Sequence, residues 1–153
     1  MPRIATDNLT VNNLGIFNKI TAPKEYSEKF IKECQESGDL CQYGYFEEVP
    51  VGVVVSKSFV PKNAKSPLGL AVVVLRVLEA YSKKFGLEDA LLEYIEKLAV
   101  EKKHLHRVFL VLDKTDEWLI GHFKERGYEE GDVEGLEEGS EEGKVVLKRD
   151  LAN

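Results

Sequence analysis

Positive charge is in short supply in this chain: 21 Lys and Arg stand against 27 Asp and Glu in 153 residues, for a net charge of −6. That sign argues against an unaided grip on nucleic acid or an anionic membrane. Long apolar runs are missing as well. The longest, Leu70 to Leu75, is far shorter than the ~20 residues that span a bilayer. The start, Met1 to Asp7, has no apolar h-region, so no secretory leader is expected. There are only two cysteines, Cys34 and Cys41, without CxxC or Cys/His ligand spacing. They read as reduced core thiols rather than a disulfide or a metal site, which suits a cytoplasmic protein. No Ser/His/Asp arrangement, zinc pattern or nucleotide P-loop can be defended, and no metal is expected.

What is present is ordinary for a soluble globular chain: 43% hydrophobic and 31% charged residues. The length fits one domain, 1–153, large enough to bury roughly two-thirds of its unfolded surface. Thr10 can cap a first helix carrying Leu14, Phe17 and Ile20. A second follows Pro23, with Tyr26, Phe30, Ile31 and Cys34 along one face. Leu40 to Phe46 and Val51 to Val60 read as strands joined by Glu47-Glu48-Val49-Pro50. Leu68 to Leu78 has the Val/Leu content of a central strand buried on both faces.

Leu87, Ala90, Leu91, Tyr94, Ile95, Leu98 and Ala99 then form one stripe of helical period. Arg107 to Leu112 is a further strand. Thr115 or Asp116 opens a last helix carrying Trp118, Leu119 and Phe123, and Gly127 ends it in a left-handed conformation. Trp118 reads as packing that helix. His104, His106 and His122 have no nucleophile or metal partner in sequence and read as structural or surface groups. Glu129 to Glu142 is acidic and glycine-rich with little to bury: a solvated connection, or alternatively a docking surface for a basic partner. Lys144 to Leu151 can close the sheet. The order predicts an α/β fold, a mixed central sheet with helices on both faces.

Between the central strand and the third helix stands Lys83-Lys84-Phe85-Gly86-Leu87-Glu88. This resembles the acetyl-CoA pyrophosphate loop of the GNAT acyl-CoA N-acyltransferases, Q/R-x-x-G-x-G/A, with Glu88 in place of the last glycine. Asn12-Asn13-Leu14-Gly15, Pro23…Tyr26…Lys29-Phe30, Val49-Pro50-Val51-Gly52 and Gly127-Tyr128 further resemble the San/NatE branch, N-terminal acetyltransferases that attach to the ribosomal NatA complex. The resemblance implies a GNAT fold and acetyl-CoA as cofactor. It implies that Leu78, Lys83, Lys84, Gly86 and Leu87 line the cofactor site, and that Pro23 and Tyr26 belong to the peptide-binding loop.

Such a loop holds pyrophosphate with backbone N–H groups and a helix start, and glycine lets the backbone approach closely. A carboxylate at Glu88 opposes that, so cofactor binding is expected to be weak or lost. The branch's general-base positions, a tyrosine and a histidine, fall on Val72 and Val111. The tyrosine that protonates the departing thiolate in the broader family falls on Phe123. An asparagine that often touches the cofactor falls on Asp116. No catalytic residue is expected.

The resemblance therefore points to a non-catalytic or very weakly active NatE-type accessory subunit, partnered with the helical-repeat scaffold and the catalytic subunit of NatA, and with the ribosome indirectly. The alternative is an active N-terminal acetyltransferase for Met-starting peptides, with Tyr81 or Tyr26 standing in as base. A free-standing acyl-CoA sensor is a third reading, and Glu88 opposes it.

Overall fold

The computed structural model describes residues 3–9, 14–61, 64–131 and 135–151. The Thr10 cap and the Asn12-Asn13 motif lie outside them. The elements run β1 (Ile4–Asn8), α1 (Leu14–Thr21), α2 (Glu28–Glu36), β2 (Cys41–Phe46), β3 (Val49–Phe59), β4 (Gly69–Val77), α3 (Leu87–Glu101), β5 (Arg107–Asp113), α4 (Glu117–Glu125), β6 (Glu129–Glu130), α5 (Glu137–Ser140) and β7 (Lys144–Asp150). A 3-10 turn, Gly38–Leu40, precedes β2. The strands form a mixed seven-stranded sheet in the order β1-β2-β3-β4-β5-β7-β6. β4 and β5 are parallel, while β1–β2, β2–β3, β5–β7 and β6–β7 are antiparallel.

The chain packs as two compact units, Met1–Val55 with Val74–Ile95 and Ser56–Val73 with Glu96–Asn153. In the first unit, helices cover both faces of the sheet. Tyr43 meets the backbone of Phe17 in α1, whereas the next residue, Gly44, lies under α3. A Cβ on Gly44 would meet Leu91 at 3.0 Å, and one on Gly52, its cross-strand partner, at 3.1 Å. Paired glycines thus let α3 approach the strands closely. In the second unit, Phe59, Ala71, Phe109, Val111, Leu136 and Val146 form one apolar cluster, with Val73 against it.

Several boundaries shift from the sequence reading. α2 begins at Glu28 because Ser27 caps it, its Oγ accepting from the Phe30 N–H at 3.1 Å, so Tyr26 precedes the helix. The β2–β3 connection is only Glu47-Glu48, both at positive φ, a two-residue turn that puts Val49 and Pro50 inside β3. The segment 129–142 contributes β6, α5 and a core residue: Leu136 is 1% exposed. Trp118 is 38% exposed and stacks on His122 at 4.7 Å, instead of packing α4 inward. Both cysteines are buried, and neither is in a disulfide. Gly127 ends α4 at φ +100, as its position predicts.

Candidate functional site

β4 ends at Val77 and α3 begins at Leu87, leaving a nine-residue turn system to shape the loop. Leu78 anchors it. Its N–H donates to the Val51 carbonyl at 2.8 Å, and its own carbonyl accepts from Tyr81 at 2.8 Å and Ser82 at 2.9 Å. Both backbone groups of Leu78 therefore have partners within the protein. Lys83 follows in the left-handed region at φ +67 and Gly86 at φ +76. Glycine adopts that region freely, whereas for lysine it is strained by roughly 1 kcal/mol.

The reason for that backbone turn lies five residues on. Glu88, in the first turn of α3, is 4% exposed. Its carboxylate accepts from the Ser82 hydroxyl at 2.6 Å and from the Lys83 N–H at 3.2 and 3.3 Å. The side chain points into the loop, away from solvent. A carboxylate buried at a helix start gains from the dipole and from charge-assisted hydrogen bonds. In this geometry the loop already serves an anion of its own, and it does not fit a diphosphate as it stands. Lys83 and Lys84 are exposed, and the Leu87 side chain is buried.

Beside the loop, Phe85 lies 4.5 Å from Phe46 and 6.2 Å from Tyr81, ring to ring, and is 41% exposed. Tyr81 also sits 5.5 Å from Phe46, so its ring belongs to the same aromatic group.

Three residues that the resemblance assigns to base and acid positions are hydrocarbon in a packed interior. Val72 in β4, Val111 in β5 and Phe123 in α4 are all buried. Val72 is in register with Leu110, and residues paired across strands share a face while neighbours alternate. Val111 therefore looks to the opposite face, where it joins the cluster with Ala71 and Phe109. The structure brings neither valine together with the other. Phe123 meets His122 at 5.5 Å and Tyr128 at 6.2 Å. Asp116 is the N-cap of α4 but makes no side-chain cap bond.

The segment linking α1 to α2 is firmly held. Asn18 and Tyr26 exchange hydrogen bonds, the Tyr26 N–H donating to Asn18 Oδ1 at 2.8 Å and Asn18 Nδ2 to the Tyr26 carbonyl at 3.2 Å. The Lys24 N–H donates to the Thr21 carbonyl at 3.1 Å, and Thr21 Oγ1 lies 3.0 Å from both the Phe17 and Lys24 carbonyls. The Tyr26 ring stacks on Phe30 at 4.9 Å and meets the edge of Phe17 at 5.4 Å. Pro23, joined to Ala22 by a cis peptide bond, is exposed at the apex. Arg76, which the sequence reading did not single out, donates from Nη2 to the Ala22 carbonyl at 3.2 Å. Only its place at the end of β4 could have signalled it.

Among the described residues no group of three metal-binding side chains occurs, and no helix is long and apolar enough to cross a membrane.

No family profile matches the chain. Among curated proteins it is similar to "N-alpha-acetyltransferase 50" of Danio rerio, at 25% identity over 130 residues, covering 83% of this chain and 75% of the relative. It is similar also to "Probable N-acetyltransferase san" of Drosophila melanogaster, at 23% identity over 124 residues, covering 81% of this chain and 65% of the fly protein, just under two-thirds of its length. Among solved structures it matches Arabidopsis thaliana Naa50 in complex with the bisubstrate analogue CoA-Ac-MVNAL, with a TM-score of 0.73 at 18% identity over 97% of this chain and 99% of that one. The chain has the GNAT acetyltransferase fold, and its sequence resembles the San and N-alpha-acetyltransferase 50 proteins.

Proposed function

We propose that this chain is a catalytically silent GNAT-fold subunit of the N-terminal acetylation machinery, acting in the cytoplasm on the helical-repeat scaffold of NatA, beside its catalytic subunit and only indirectly at the ribosome. The observation that carries the silence is the Glu88 carboxylate seated on the Lys83 N–H. Acyl transfer to an α-amine needs a group that removes the amine's proton and one that protonates the departing thiolate. Val72, Val111 and Phe123 supply neither. What remains is the α1–α2 turn, read here as a peptide-facing segment through Pro23 and Tyr26, on a fold whose packing is intact. Fold alone does not fix function, so the scaffold partnership is inferred from sequence resemblance and tested separately.

Calorimetric titration with acetyl-CoA gives no saturable heat on this reading, and radiolabelled acetyl-CoA with Met-starting peptides gives no transfer above background. Micromolar binding of acetyl-CoA with turnover of those peptides overturns the silent reading. Co-purification with the NatA scaffold tests the accessory role, which a clean failure to associate removes. The second reading, an active N-terminal acetyltransferase, draws on the names of the relatives and on the ordered α1–α2 turn. It requires Glu88 to leave the loop.

A further inference from the structure

Some cations of the described surface are paired with carboxylates: Arg107 with Asp150, Lys144 with Asp113, Lys124 with Glu130, Lys57 with Glu138 and Arg149 with Glu96. Arg76 and Lys24 instead meet at one turn, on a backbone carbonyl and an aromatic ring. Arg76 is half-buried at the end of β4 and spends one of its five N–H donors on the Ala22 carbonyl. Lys24, two residues further along the same turn, holds its ammonium 5.1 Å from the Tyr26 ring centre. Among the described residues neither cation has a carboxylate partner, although Glu25 and Glu28 follow in sequence and the chain carries a net charge of −6. A half-buried guanidinium without a counter-ion is costly in an acidic protein with carboxylates at hand, and its remaining donors form the planar fork that suits a carboxylate. The turn between the two cations is fixed by the Thr21–Lys24 and Asn18–Tyr26 bonds, so little ordering is needed on binding.

We propose that the turn Thr21–Lys24 is a recognition site for an acidic polypeptide segment, an Asp or Glu side chain being held by Arg76 and Lys24. This rests on the reading of the α1–α2 segment as peptide-facing and names the class of peptide. It requires no acyl transfer. The Tyr26 ring, packed against Phe17 and Phe30, holds Lys24 through its face, and the Ala22 carbonyl holds Arg76.

The test is fluorescence anisotropy with labelled ten-residue peptides beginning Met-Asp-Glu, against matched peptides beginning Met-Asn-Gln. The acidic peptide binds about tenfold or more tightly, as a hydrogen-bonded charge pair predicts. That preference shrinks in Lys24→Gln and Arg76→Gln, is partly kept in Arg76→Lys, and falls with added salt. Lys24 is exposed, so its variant reports even where Arg76→Gln loses stability. Equal binding of both peptides, no binding of either, or displacement by inorganic phosphate at equal concentration overturns the proposal, the last by marking a general anion site. Acetyl-CoA titration of the same protein is independent: saturable cofactor binding with turnover removes the silent reading and leaves the peptide preference to stand or fall by anisotropy.

Discussion

The two oxygens of Glu88 lie 3.2 and 3.3 Å from the backbone nitrogen of Lys83, five residues before it, and one of them also takes the Ser82 hydroxyl at 2.6 Å. A diphosphate approaching the same loop would meet both the bulk of that side chain and its charge. At about 5 Å and an effective dielectric near 20, each pair of like charges costs roughly 3 kcal/mol. Glu88→Gly should therefore tighten coenzyme A binding by about 100-fold or more, read by calorimetry on the folded variant. An unchanged isotherm would show that the carboxylate is not what closes the loop. On the proposed reading activity is not expected to return with affinity, since Val72, Val111 and Phe123 stay apolar.

The features most legible in the sequence were those written in local periodicity. The α3 stripe from Leu87 to Ala99 and the unbroken Val108–Leu112 strand are read correctly because a helix or buried strand repeats its signal several times. Gly127 is equally plain, since only its conformation is at issue. Leu136 was not legible. One leucine among acids carries no period, and its burial follows from the meeting of α5, β5 and β7 rather than from its neighbours. The direction of Glu88 was hidden for a similar reason: composition shows a first-turn acid, while its rotamer depends on where Ser82 and Lys83 are placed. Arg76 lies on a strand whose apolar run masked it, and its contact with Ala22 spans 54 positions in sequence.

Glu96 joins a buried phenol to an arginine. Tyr128 is 2% exposed and donates to Glu96 Oε2 at 2.8 Å, Arg149 Nη1 donates to the same oxygen at 3.1 Å, and the guanidinium lies 6.0 Å from the Tyr128 ring centre. Glu96→Ala strips the acceptor from the phenol and the partner from the arginine at once, so a loss of about 2–4 kcal/mol is expected. Tyr128→Phe removes a single hydrogen bond and should cost only about 1 kcal/mol. Urea midpoints at constant slope separate the two. Equal losses would mean that the Arg149 contact adds nothing to the phenol's hydrogen bond with Glu96.

Three tyrosines make the fold sensitive to alkali. Burial pushes the Tyr43 and Tyr94 phenols up to about 12, and burial together with the Glu96 charge pushes Tyr128 higher still. The unfolded phenols titrate near 10. Below that pH both states keep their protons and the contribution is complete. Above it the unfolded state releases protons that the folded state retains, so stability falls as pH rises toward the folded values. For the fully buried Tyr43 the slope is about 1.4 kcal/mol per pH unit between 10 and 12. Urea midpoints at pH 8, 10 and 11 should drop across the last interval, and less steeply in Tyr43→Phe. A flat profile would contradict the burial of these hydroxyls.

Val111 offers the sharpest check on how far the site has become core. A histidine there, as the resemblance suggests, places an imidazole against Phe59, Ala71, Phe109, Leu136 and Val146. The ring is larger than the valine, and its two nitrogens meet hydrocarbon, so both overpacking and an unmet hydrogen-bonding demand oppose it. Val111→His should lose about 2–4 kcal/mol in urea unfolding, with a folded imidazole that stays neutral well below pH 6.5 by NMR titration. Because Val72 pairs with Leu110 and faces the other side of the sheet, adding Val72→Tyr does not bring a phenol beside that imidazole. The double variant in the Glu88→Gly background is therefore expected to bind coenzyme A and still fail to acetylate a Met-starting peptide. Turnover by that protein would show that the two strand positions converge on one site after all.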